Sequence, residues 1–452
     1  MKSFCTWLCI VALSSVALPL RAQWQSLGSG IATAPRKMYS ISVPNPQTVW
    51  GITIHPQVTT GVDEVTLSVD GGDSWTPGNV GIGDNTYTAV HIFGLDARTA
   101  WVTLAKRTDR DQPRIYKTAN AGGSWTEQTG PFNAAGHGVL ALHFFDSNTG
   151  VAYGSNQSTS PTLRIYRTEN GGSTWVQLPD SVLPGDRSGE RVSLFSGNGA
   201  YEAIGDQMWF GTSKGRVLRS SDRGATWTAH ATGLGTSKNV ASVAFRDAQH
   251  GLCVVDNGNL AARTSDGGLT WQAVTFPQVP TAAAVEYVPN TPGTYIVHDG
   301  TFNLSSFAYT QNEGNTWESL DIGVSMDCIQ FFSPTQAYGG ATVVSALVGG
   351  VYAWTDNWNT LDIGADLAAS LLYLAPNPAR DRVALRWTET QGIPPRPGDI
   401  DVIDMQGRRI AVPVAAHAPW DLTLDLAALA PGLYLVQVRT GEVLHRARLR
   451  VE

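Results

Sequence analysis

The sequence predicts an all-β fold, a seven-bladed β-propeller followed by a small Ig-like antiparallel β-sandwich. Three observations carry the prediction: an eight-residue box repeated six times, a constant spacing between the tryptophans that end the boxes, and a change of composition near residue 365. A repeat of this length holding four short strands is the pattern of a ring of sheets, each burying its faces against its neighbours.

The boxes occupy residues 68–75, 118–125, 168–175, 220–227, 264–271 and 310–317, and each reads Ser/Thr-x-Asp/Asn-x-Gly-x-Ser/Thr-Trp. A tight reversal between strands needs a residue that tolerates positive φ and a side chain that occupies the turn's free N–H groups. Gly268 meets the first need and Asp266 the second, while the hydroxyl of Thr270 adds a local bond. The structural residues are therefore Asp70, Asn120, Asn170, Asp222, Asp266 and Asn312, with Trp75, Trp125, Trp175, Trp227, Trp271 and Trp317 as anchors opening the next strand. Their oxygens are committed to the turn, which argues against reading these residues as catalytic acids or calcium ligands.

Trp24 and Trp358 sit in strands like those that follow the boxes, and the eight tryptophans are 41 to 52 residues apart, which gives seven units. Within each unit an apolar strand, a turn and a second strand precede the box, as in residues 142–153, 243–253 and 329–338. Trp50, Trp101, Trp209, Tyr153, Tyr295 and Tyr338 recur at one position of the second strand and are expected to pack between blades. One outer strand is surplus. Closure of the last sheet by the Trp24 strand is preferred over closure by the Trp358 strand, because it removes an exposed edge.

Residues 1–22 read as a secretory signal peptide: Lys2, an apolar run over 4–20, and a cleavage site after Ala22. The propeller is expected over 23–365 and a separate sorting unit over 366–452. That last segment holds ten Arg against ten Asp and Glu and no Lys, and Lys2 and Arg21 lie in the signal, so of the chain's net charge of −7 the propeller carries −9. An acidic propeller makes nucleic acid a poor partner. Only Cys253 and Cys328 lie beyond the signal, in non-adjacent repeats, and they read as buried small hydrophobes instead of a disulfide. No histidine spacing or glycine loop of a metal or nucleotide site is present, so neither a metal nor a cofactor is expected.

The six boxes resemble the Asp-box (BNR) repeats of sialidases, sortilin-type receptors, photosystem II assembly-factor propellers and tandem-propeller xyloglucanases. This likeness covers residues 24–364 and implies the fold, not an activity. Residues 373–381 (YLAPNPARD), 402–408 (VIDMQGR) and 426–436 (LAALAPGLYLV) resemble the type A sorting domain of the type IX secretion system of Bacteroidota. That resemblance implies export to the outer cell surface or the medium, with the type IX machinery as a partner.

The expected function is a monomeric binding or adhesion module for an extracellular protein or glycan; the alternative is an exo-acting glycoside hydrolase, sialidase-like or glucan-cleaving. No Arg-Ile-Pro segment of a sialidase site is present, and no catalytic residue is assigned. In four-stranded antiparallel sheets the box turns share a face with the first hairpin turns, and the longer loops fall on the other. Function concentrates on loops that a rigid scaffold positions. The candidate binding residues there are Asp63, Glu64, Lys106, Arg107, Arg110, Arg114, Arg187 and Arg191.

Overall fold

The computed structural model describes residues 24–31, 36–55, 61–138, 141–155, 161–185, 187–192, 201–256, 260–274, 284–298, 307–320, 326–341, 350–354, 357–358, 372–375, 379–387, 394–404, 408–418, 420–440 and 443–451. The proposed signal peptide, residues 1–22, lies outside them.

The described residues between 24 and 354 form seven four-stranded antiparallel sheets. The first holds Lys37–Asn45, Thr48–Ile54, Glu64–Ser68 and Thr76–Asn79 in sequence order. Innermost strands of successive sheets contact one another, and the last of them, Met326–Ser333, returns to Lys37–Asn45 to close a ring.

Each box is a turn built from its own side chains. The Asp or Asn Oδ1 accepts the backbone N–H of the second Ser/Thr at 2.9 Å in all six boxes. The first Ser/Thr hydroxyl donates to that same oxygen at 2.7–3.0 Å. It also accepts the N–H of the box glycine at 2.8–3.0 Å. Two consecutive residues are left-handed: the glycine, and before it Ala121, Arg223 or Glu313 at φ 55° to 60° in three boxes. Glycine is needed at the second position for a further reason. A Cβ on Gly224 would stand 2.2 Å from a methyl of Val151 in the neighbouring sheet.

The box also clamps the first hairpin of its own sheet. The backbone N–H of the residue before the box glycine donates to the hairpin carbonyl of Gln47, Arg98, Asn148, Asp206, Gln249 or Gly293 at 2.8–3.1 Å. Box turns and first hairpin turns therefore share one face, as the strand count requires.

The recurring aromatics of the second strands, from Trp50 to Tyr338, are at most 2% exposed. Ring stacking joins sheets: Trp101 lies on Phe144 at 3.7 Å, Tyr153 on Phe210 at 4.1 Å and Trp209 on Phe245 at 3.9 Å. Burying an indole contributes several kcal/mol at roughly 25 cal/mol per Å². The box tryptophans are less uniform, with Trp175 and Trp227 buried and the other four half-buried.

The last sheet is completed from the chain's first described strand. Trp24–Gly28 pairs antiparallel with Val351–Trp354, in register Trp24 with Trp354. Trp358 continues the packing by stacking on Trp354 at 4.9 Å. A buried ion pair, Lys37 Nζ to Asp327 Oδ1 at 2.7 Å, joins the first and seventh sheets. Cys253 and Cys328 are buried free thiols.

The described residues between 372 and 451 form two more four-stranded antiparallel sheets. Val383, Leu385, Leu422 and Leu424 of one share a core with Val402, Val436, Val438 and Leu449 of the other. The strands Leu372–Ala375, Arg409–Ile410 and Val414–Ala418 were not apparent in the sequence, because they are short and lack an alternation of apolar and polar residues. No helix among the described residues is long and apolar enough to cross a membrane.

Candidate functional site

Two surfaces are arranged by the ring: a channel along its axis and the loops around one mouth. The channel encloses a cavity of about 190 Å³ and is lined by the innermost strands. Every sheet places a polar residue there: Ser42, His91, His143, Glu202, Ser242, Glu286 and Gln330. The placement follows the pleat, since each of these is a polar residue between apolar or aromatic neighbours in an innermost strand.

Several of these side chains bridge to the next sheet. Gln330 Oε1 accepts from Val43 N at 2.9 Å and Ser42 Oγ from Gly94 N at 3.0 Å. Glu202 accepts from Ala203 N at 3.0 Å and from Phe245 N at 3.4 Å, and Ser242 Oγ donates to Val285 O at 3.3 Å. Tyr201 OH reaches back to Leu142 O at 3.2 Å, linking the fourth sheet to the third.

Burial sets the charge of the channel. Desolvation pushes the Glu202 carboxyl up to about 7, and desolvation together with the neighbouring Glu202 holds Glu286 well above the usual carboxylate range. Desolvation, aided by His91, drops the His143 imidazole to about 3, so it is neutral at physiological pH. Among the described residues no group of three His, Cys, Asp or Glu is arranged to hold a metal ion.

The loop face gathers six of the eight candidate residues at the junction of the first and second sheets. Arg107 Nη2 donates to His55 O at 3.2 Å, tying the loop after Ala100–Lys106 to the preceding sheet. Arg110 sits in that loop at φ 59° and lies close enough to affect the Arg107 guanidinium. Lys106 is bonded to Gln112. Arg114 covers the Tyr87 ring at 4.4 Å and stands 3.9 Å from Asp84 and Glu127. Asp63 and Glu64 have internal partners: Asp63 Oδ2 accepts from Gly81 N and Ile82 N, and Glu64 pairs with Arg36 at 2.6 Å. Arg187 and Arg191 belong to a different loop, before the fourth sheet. There Arg187 pairs with Asp180 and Arg191 N donates to Ser213 Oγ. In the same loop Glu190 is fully buried and bidentate to Arg216.

Residues 373–452 match the family described as secretion system C-terminal sorting domain. The tail is a type IX sorting domain. It sends the chain to the cell surface or the medium. Within the sorting domain, Leu426 N donates to Asp381 O at 2.8 Å and Tyr434 OH to Ala430 O at 2.7 Å. Described residues of two segments that carried the resemblance, Leu374 and Ala379 of one and Leu426, Leu429, Tyr434 and Val436 of the other, are thus part of one core.

For the rest of the chain, three solved structures show similarity of fold. YCF48 bound to D1 peptide is 15% identical with a TM-score of 0.51, covering 74% of this chain and 97% of that one. YCF48 from Cyanidioschyzon merolae is 17% identical with a TM-score of 0.51, covering 74% and 98%. A streptogramin B lyase structure is 14% identical with a TM-score of 0.50, covering 73% and 96%. At these identities the likeness establishes the propeller architecture and no activity. None of the curated proteins matches the chain by sequence.

The channel residues were missed in the sequence because they do not share a residue type. A positional signal was present nonetheless: a single polar residue flanked by apolar ones in each innermost strand, as in Ile41-Ser42-Val43, Leu142-His143-Phe144 and Val285-Glu286-Tyr287.

Proposed function

We propose that the propeller, taken as residues 23–365, is an extracellular binding module for a protein or glycan, and that residues 366–452 serve its export through the type IX machinery. The ligand is engaged on the loop face, at the junction of the first two sheets. One observation carries this reading. Arg107 and Arg110 are held side by side on a loop braced against His55, while the neighbouring Asp63 and Glu64 are taken up by internal partners. That leaves the two guanidinium groups together on a braced loop, with the two carboxylates beside it already paired. Rigid placement of guanidinium groups suits recognition of carboxylate or sulfate groups on an extracellular partner.

The test is a glycan and peptide array probed with the mature chain and with an Arg107→Ala/Arg110→Ala/Arg114→Ala variant. Loss of the same signals at an unchanged melting temperature supports the reading. Equal binding by both proteins moves the site elsewhere, and reproducible turnover of xyloglucan, β-glucan or sialosides replaces binding with hydrolysis. The division of labour is checked separately. A chain stopped after residue 364 should fold but stay in the periplasm, and a fluorescent reporter fused to residues 366–452 should leave the cell.

A further inference from the structure

We propose that the axial channel binds a primary ammonium group, seated between Glu202 and Glu286. The inference is independent of the loop face.

The cavity of about 190 Å³ has two carboxyl groups in its wall, one from the fourth sheet and one from the sixth, and no lysine or arginine lines it. The two glutamates interact through space. They differ in what holds them. Glu202 takes two backbone N–H groups, whereas Glu286 receives no hydrogen bond from any described residue. A carboxyl group set in a cavity wall without a donor is an unmet polar demand, and such groups are costly unless a partner is supplied. Water or a proton meets it in part; a cation with several N–H donors meets it for both glutamates at once.

The rest of the lining fits that occupant. His91 and His143 line the same cavity, and burial keeps His143 neutral, so it adds no opposing charge near neutrality. Tyr201 and Phe93 lie within 5.5 Å and 5.0 Å of the His143 ring, which places aromatic surface beside the carboxylates for the alkyl part of an amine. Ser242 and Gln330 supply oxygen acceptors. The volume admits an alkylammonium of a few heavy atoms. It excludes a sugar chain. The ammonium has two possible sources, a small free amine or the tip of a lysine side chain from a partner protein, and the chemistry of capture is shared.

Because the cation takes the place of protons on Glu202 and Glu286, binding must release protons and strengthen as pH rises through neutrality. The titratable groups around these carboxyls are His91, His143 and Tyr201 in the cavity wall and, behind Glu286, Cys328 with the Lys37–Asp327 pair; burial keeps His143, Tyr201 and Cys328 neutral across this pH range.

The experiment is titration calorimetry of the mature chain with 1,4-diaminobutane, and in a second arm with a short lysine-rich peptide, at pH 5.5 and pH 8. The proposal expects saturable binding of at least one probe at pH 8, at least tenfold weaker at pH 5.5, with a heat that varies with the ionisation enthalpy of the buffer. Glu286→Gln, close in shape, should abolish it; Arg107→Ala should leave it intact. Binding of the diamine alone identifies a free amine, and binding of the peptide alone a partner's lysine. Absence of binding by both probes, or binding unaltered in Glu286→Gln, overturns the proposal. If Glu286→Gln unfolds, Glu202→Gln and the buffer dependence of the wild-type heat decide the question: a heat that shows no proton release overturns it.

Discussion

The indole Nε1 of Trp209 donates to the carbonyl oxygen of Gly267 at 2.8 Å, although 58 residues separate them. Trp209 lies in the second strand of one sheet and Gly267 in the box of the next. Trp101 makes the same contact with Gly171 at 3.2 Å, and Tyr338 reaches Gly71 at 3.0 Å across the ring closure. The box is thus the receptor for its neighbour's aromatic ring as well as a turn.

Replacing Trp209 separates the two roles of its ring. Trp209→Phe keeps a ring to stack on Phe245 but leaves the Gly267 carbonyl without its indole donor, and should cost about 1–2 kcal/mol. Trp209→Ala also opens a cavity and should cost about 3–5 kcal/mol. Urea unfolding followed by tryptophan fluorescence and circular dichroism measures both.

Asp266 and its equivalents tolerate one substitution and not another. In the Asn boxes the amide nitrogen of Asn120, Asn170 or Asn312 donates to the second hydroxyl at 2.8–3.0 Å, the same hydroxyl that in the Asp boxes donates to the carboxylate. Asp266→Asn should therefore be nearly neutral. Asp266→Ala removes the acceptor shared by Thr264 and Thr270 and should lower stability by about 1–2 kcal/mol. Equal losses for the two variants would show that charge, not the hydrogen-bond pattern, holds the turn.

The Lys37–Asp327 pair joins the first and seventh sheets with both side chains at most 5% exposed. Removing one partner leaves a buried charge unmatched, so Lys37→Met or Asp327→Leu alone should cost about 3–5 kcal/mol. The double replacement should recover most of that loss. A double-mutant cycle by chemical denaturation reads the coupling directly.

Glu202 makes stability depend on pH in the direction opposite to a salt-bridged acid. Its carboxyl titrates near 7 in the folded chain against 4.5 for an unperturbed glutamate, so the folded state holds the proton more tightly. The contribution is complete below about pH 4.5 and is lost as pH rises through 7, a difference on the order of 3 kcal/mol. Melting temperatures measured from pH 4 to 8 should show this fall in the wild type and a flatter profile in Glu202→Gln.

What could be read in the sequence follows from which physics is local. Asp266, Gly268 and Thr270 act on one another within a few residues, so the box announces its turn. The sorting domain is legible for the same reason. The recurrent second-strand aromatics betray burial by their register, but not their targets, because the carbonyl of Gly267 belongs to the next repeat. The clamp of each box on its own first hairpin was also hidden, since it uses backbone groups that leave no residue signature. The channel was least legible. Glu202 and Glu286 come together only when seven separate strands converge on an axis, and neither residue is marked by spacing. Among the loop candidates, residue type alone could not separate Arg110, set on a loop surface, from Glu64, already taken up by Arg36.

The pairing of Trp24–Gly28 with Val351–Trp354 makes assembly of the ring a matter of timing. During synthesis the earlier strand exists long before its partner, and about 300 residues must be made before the two can meet. Sheets nearer the middle can form as their own residues appear, but the seam cannot close until nearly all of the ring has been made. Until then one sheet is short of a strand and its hydrogen-bonding edge is open to other chains. The interval before the seam shuts is the period in which this protein most needs a chaperone, and a destabilised seam would first show itself as aggregation of new chains, not as loss of function in old ones.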